Sequence, residues 1–149
     1  MELLDTVKDA WGWIGLAPAE VLEINAFGNV LVKALDGRVW RICPEDLRAD
    51  AVAVSLADFE KVRTQPEFSE DWNMSVLVDE ASQKFGRPGE GRCYCLKVPG
   101  VLGGEYGGDN LATISVLELI ASSGDLAKQV SELRDGAEVR LSVAKTSKP

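Results

Sequence analysis

An Asp36-Gly37 pair set between two apolar runs constrains this chain more than any other local feature. Both residue types tolerate the positive φ of a type I′ turn, so the flanking segments, near 30–35 and 38–43, are predicted to pair as an antiparallel hairpin. Phe27-Gly28-Asn29 offers a turn just before them, which places another strand near 20–26. Pro44 lacks a ladder donor and stops the hairpin's second strand; Ala51 to Val54 is a candidate fourth.

Helices surround these strands. Leu3, Leu4, Val7, Ala10, Trp11 and Ile14 recur at helical spacing, which predicts an amphipathic helix from residue 2 to about 13. It sends Trp11 and Trp13 to opposite faces, so one of them is expected to be exposed or to meet a partner. Ser55-Leu56-Ala57-Asp58 resembles a capping box and opens a helix that would bury Leu56, Phe59 and Val62. That helix is expected to end before Pro66. A further helix over about 74–85 would place Met74, Val78, Ala81 and Phe85 on one face, with Gly86 behind it. Arg92 to Val98 reads as a strand, a Gly-rich loop spans Pro99 to Asn110, and a short strand follows at about 110–114. One or two helical segments over 115–133 are expected to break at Ser123-Gly124-Asp125, with Leu126, Val130 and Leu133 as the second segment's buried stripe. Asp135-Gly136 then turns into a last strand carrying Val139, Leu141 and Val143. The mixture predicts an α+β fold with a largely antiparallel sheet, and 149 residues without a linker or repeat fit one domain, 1–149.

Composition excludes much chemistry. The chain has no histidine, which removes Ser-His-Asp and Cys-His arrangements and His-zinc sites. Its 24 acidic against 16 basic residues give a net charge of −8, which repels a phosphate backbone and argues against direct nucleic-acid binding. Cys43, Cys93 and Cys95 are an odd set, ill suited to a secreted disulfide framework. The Cys93-x-Cys95 spacing lacks the further ligands a metal needs, so two cysteines on one strand face are expected and no metal or cofactor is assigned. Residues 1–16 carry Glu2, Asp5 and Asp9 and no signal-peptide pattern, and no segment has the apolar length of a membrane span. A cytoplasmic location is expected.

The Gly-rich loop matches neither G-x-G-x-x-G nor a Walker loop, and Glu105 and Asp109 would repel a phosphate. Scattered carboxylates select no catalytic pair, so no catalytic residue is assigned. Between Arg63 and Lys84 no basic residue occurs, while Glu67, Glu70, Asp71, Asp79 and Glu80 do, with Phe68 and Trp72 among them. Acids interleaved with aromatics suit a cationic partner, the acids steering encounter and an aromatic anchoring a pocket. Equally, Phe68 and Trp72 could be core residues of a solvated helical segment.

Gly103-Gly104-Glu105-Tyr106, Asp109-Asn110-Leu111, Ser123-Gly124-Asp125-Leu126-Ala127 and Asp135-Gly136-Ala137-Glu138-Val139, in this order and spacing, resemble the C-terminal domain of type VI secretion immunity proteins. Phe27-Gly28-Asn29 and Asp36-Gly37-Arg38-Val39-Trp40 lie where that family's early strands would. The likeness covers about residues 20–145 and is strongest over 100–143. It implies a non-enzymatic inhibitor that binds a cognate DNase effector, such as a nuclease of the histidine metal-finger type, in a 1:1 complex against the toxin's basic surface. The expected contact residues, chosen from charge and aromatics, are Glu67, Glu70, Asp71, Trp72, Asp79 and Glu80, together with Glu105, Tyr106 and Asp109 of the Gly-rich loop. Two other readings stand beside it: an acidic scaffold or regulatory module for another protein, and a small carboxylate- or metal-dependent hydrolase.

Overall fold

The Asp36-Gly37 turn closes a hairpin at the centre of a four-stranded antiparallel meander. In a computed structural model that describes residues 2–133, the strands are β1 (Pro18–Ile24), β2 (Val30–Ala34), β3 (Val39–Cys43) and β4 (Arg48–Ala53), in the order β1-β2-β3-β4. The turn differs from the type I′ expectation. Only Gly37 has positive φ, at 93°, and its N–H donates to the Ala34 carbonyl at 3.0 Å, so the loop has three residues with glycine in the left-handed position.

Both faces of this sheet are covered, which explains why β2 and β3 read as almost continuous apolar runs. Val30, Val32, Trp40 and Ile42 face a layer made by α1 (Glu2–Trp11) and α5 (Val116–Ser131). Leu31 and Val39 face the opposite layer, where Phe59 of α2 (Leu56–Val62) and Trp72 of α3 (Pro66–Asn73) complete the packing. A separate two-stranded sheet, β5 (Arg92–Leu96) with β6 (Leu111–Ser115), alternates in the same manner. Tyr94 and Leu96 pack with Ala81 of α4 (Ser75–Phe85), while Cys93 and Cys95 pack on Leu119 of α5. The two cysteines therefore share one strand face. The fold is α+β with antiparallel pairing throughout its two sheets.

The Ser55 cap forms: Ser55 Oγ accepts from the Asp58 N–H at 3.0 Å, while the Asp58 carboxylate reaches one residue past the cap and accepts from the Val54 N–H at 3.1 Å. Several expectations are corrected. Pro66 occupies the first turn of α3, which the sequence reading leaves out, because a proline that ends one helix is equally suited to start the next. Met74 then takes a left-handed backbone, φ 48°, and separates α3 from α4. Leu56, Phe85 and Leu133 are exposed: the first two fall at the solvent edge of their helices, and Leu133 lies beyond the end of α5. The break expected at Ser123-Gly124-Asp125 is absent, and α5 is continuous. Gly124 serves packing instead: a Cβ there would lie 2.4 Å from the Ala10 carbonyl oxygen and 2.7 Å from Ala10 Cβ, so its absence lets α1 and α5 touch at backbone distance. Trp11, 1% exposed, locks the pair by donating from Nε1 to the Ile120 carbonyl at 3.2 Å. The strand expected around Val139, Leu141 and Val143 lies outside the described residues.

Candidate functional site

The acidic segment between Arg63 and Lys84 folds as α3 and α4, and the two helices hold their acids differently. On α3, Glu67 and Glu70 point outward and make no ion pair among the described residues, and Glu67 complements the helix N-terminus. Asp71 is also exposed, yet it accepts a charge-assisted hydrogen bond from Arg41 of β3. Trp72 departs from the expected contact set. It is 7% exposed, its Nε1 donates to Glu23 at 2.9 Å, and it stacks on Phe68 with ring centroids 6.2 Å apart. Its indole completes the core, so the sheet uses the surface that a partner would need.

Arg41 anchors a polar network that the sequence reading misses. Its side chain is buried, Nε and one terminal nitrogen donate to Asn29 Oδ1 at 3.1 and 2.8 Å, and its guanidinium lies 5.2 Å from the Trp72 ring centroid. Asn29, fully buried, passes the chain on by donating from Nδ2 to Glu45 Oε1 at 2.8 Å. Burial pushes the Glu45 carboxyl above its ordinary range, and the Asn29 hydrogen bond opposes that shift only in part. A charged residue inside the apolar run Val-Trp-Arg-Ile-Cys was the available signal, because a strand covered on both faces must give such a residue buried partners. Glu45 lines a cleft of about 190 Å³ between the 3-10 turn Pro44–Asp46, β5 and α5.

On α4, Asp79 is exposed without an ion pair among the described residues, whereas Glu80 fastens the Gly-rich loop. Its Oε2 accepts from the Gly108 N–H at 2.7 Å. Lys84 adds a hydrogen bond to the Gly108 carbonyl at 2.6 Å and an ion pair with Asp109 at 3.7 Å. Asn110 spans the base of the loop, bonding Val98 through both N–H and carbonyl. Tyr106 closes the far side by donating to Asp46, which holds its phenol up at about 12. The structure thus brings Glu80 together with the loop carrying Glu105, Tyr106 and Asp109. It ties the α3 group to the sheet through Asp71.

The remaining chemistry is quiet. The three thiols are buried, and burial pushes Cys43 and Cys93 up to about 12 and Cys95 to about 11, far from reactive thiolates. Among the described residues no group of three or more Cys, Asp or Glu side chains could hold a metal ion. No described helix is long and apolar enough to cross a membrane.

Comparison with known proteins fits this architecture. Residues 53–127, from the end of β4 through most of α5, match the family described as T6SS immunity protein Tdi1, C-terminal. The fold is similar to the crystal structure of Atu4351 from Agrobacterium tumefaciens, with a TM-score of 0.53 and 16% identity. That likeness covers 83% of this chain and 63% of Atu4351, so the chain spans less than two thirds of that protein's length. No curated protein matches the sequence significantly.

Proposed function

Because the chain belongs to the type VI secretion immunity protein family Tdi1, C-terminal, we propose that it neutralises a cognate DNase effector by binding it 1:1 in the cytoplasm of the producing cell. The family match over residues 53–127 carries this reading, since the matched stretch contains both acidic groups described above. A nuclease must present a basic surface to DNA, and a chain of net charge −8 is steered toward such a surface. Glu67, Glu70, Asp79 and Glu105 are the side chains available for this encounter, because Asp71, Glu80, Tyr106 and Asp109 already have partners within the fold. Trp72 supports the surface from beneath. Inhibition then proceeds by occupation of the toxin, with no chemical step of the chain's own.

The test is co-expression with the open reading frame beside the gene, scored for growth, DNA integrity and co-purification. We expect the neighbour alone to degrade DNA and the pair to survive as a stable complex. The triple variant Glu67→Lys, Glu70→Lys, Asp79→Lys should associate about 10-fold more slowly at low salt, with the difference shrinking as salt rises. A neighbour that is harmless, or that never co-purifies, would overturn the immunity reading. An unchanged on-rate in the triple variant would remove this face from it.

A further inference from the structure

The groove between α1 and α5 lies outside the acidic helices and the Gly-rich loop, and the function proposed above leaves it unused. It has a volume of about 420 Å³. Its floor is low because Gly124 lets the two helices close to backbone contact at Ala10. Trp13 stands at its side, 38% exposed, on a 3-10 turn (Gly12–Ile14) that continues α1. Its indole is held in place: it stacks on core Trp11, with centroids 6.3 Å apart and planes inclined by 19°. Trp13 keeps the rest of its exposed ring for the groove that it lines. Asp9 and Asp125 line the same groove from α1 and α5, opposed by a single cation, Lys128. Gln129 donates to Asp125 Oδ2 at 2.9 Å and fixes that carboxylate's orientation.

We propose that this groove docks an arginine side chain of the effector, stacked on Trp13 and hydrogen-bonded to Asp9 and Asp125. The inference rests on the chain being an effector-binding protein and names a second point of contact on it. A preset indole face attracts a cation, and tryptophan does so more strongly than the other aromatics. Two carboxylates beside it match the flat donor fork of a guanidinium better than the point charge of an ammonium. The acids disfavour a phosphate or a carboxylate ligand, and the charged walls disfavour an apolar helix. Basic nuclease surfaces carry arginines, which makes the partner and the groove complementary in charge and shape.

Two measurements on the full chain decide this. In the first, the peptide acetyl-Gly-Arg-Gly-amide is titrated while the indole N–H resonance of Trp13 is followed by NMR. Trp13 should shift more with this peptide than with its lysine counterpart, and the shift should be lost in the Asp9→Asn, Asp125→Asn double variant. In the second, dissociation of the effector complex is timed. Trp13→Ala and the double Asn variant should release the effector about 10-fold faster, Trp13→Phe should fall between, and Lys128→Glu should release it more slowly. The Asn variant is isosteric and the Phe variant keeps an aromatic ring against Trp11, so they keep the test valid should Trp13→Ala disturb the Trp11 stack. An unperturbed Trp13 resonance, or wild-type dissociation in both Trp13→Phe and the double Asn variant, would overturn the arginine site while leaving the immunity reading in place. Failure of the wild-type chain to capture its neighbour would instead sink the immunity reading, and the peptide titration would still decide the groove.

Discussion

Replacing Gly124 by alanine sets two effects of known size against each other. In an isolated helix the change is favourable, since alanine exceeds glycine by about 1 kcal/mol in a helix interior. Here the new methyl would lie 2.4 Å from the Ala10 carbonyl oxygen and 2.7 Å from Ala10 Cβ. Neither atom can rotate aside, so α1 must move outward, and overpacking of this kind costs about 1–3 kcal/mol. The movement also loosens Trp11, whose indole bonds the Ile120 carbonyl across the same interface. Overpacking less the helix gain leaves about 0–2 kcal/mol and the weakened Trp11 bond adds about 1 kcal/mol, so Gly124→Ala should destabilise the protein by about 1–3 kcal/mol net, a loss of about 3–9 °C in Tm for a chain of this size. Gly12→Ala is the internal control. Nothing lies within 4 Å of a Cβ at Gly12, and its φ is not left-handed, so that variant should gain about 0.4–1 kcal/mol. Urea denaturation followed by tryptophan fluorescence measures both. A Gly124→Ala protein as stable as the parent would refute backbone contact between α1 and α5 and would favour a helix interrupted at residues 123–125.

Three further outcomes are expected. Arg41→Met should cost about 2–4 kcal/mol in the same denaturation assay, because it strands the buried Asn29 acceptor and removes the stack on Trp72, whereas Asp71→Asn at the exposed end should cost about 1 kcal/mol or less; equal losses would contradict this ranking. The raised Glu45 carboxyl favours its neutral form, so its contribution to stability is complete below the ordinary carboxylate pKa and is lost as pH rises through the higher native value. Glu45→Gln should accordingly gain in stability relative to the parent between about pH 4 and about pH 8, and a gap that stays constant across unfolding curves at the two values would contradict the assignment. Iodoacetamide at mildly alkaline pH should label the three native cysteines far more slowly than the same thiols in urea, and rapid native labelling of Cys93 or Cys95 would show that the β5 face opens.

What could be read from the residues was what the chain decides locally. The Asp36-Gly37 hairpin and the Ser55 cap each depend on a few adjacent side chains, and both form. The helix over 66–73 escaped notice because Pro66 fits a stop signal and a start signal equally well. Gly124 looked like a breaker, since its actual partner, Ala10, is more than a hundred residues away. Shorter but still non-local separations, 12 to 49 residues, hid the site's scaffold. Arg41 and Asn29 become intelligible only once both faces of β3 are known to be covered, and Trp72 could not be told from a surface anchor until the sheet beneath it was in place. Charge was legible as a total, while the division into acids with internal partners and acids without them required the fold.

The Trp11–Ile120 bond also orders events in time. The meander over residues 18–53 pairs only neighbouring strands and can form as soon as it emerges from the ribosome. The apolar face of α1, with Leu3, Val7 and Trp11, is made first and completed last, because it waits for the helix that begins at Val116. At about 5–20 residues per second that wait is on the order of 5–20 s. For that interval each nascent chain carries a greasy stripe that the sheet covers from one side only. Chaperone demand, and any loss of yield on faster or crowded synthesis, should concentrate there.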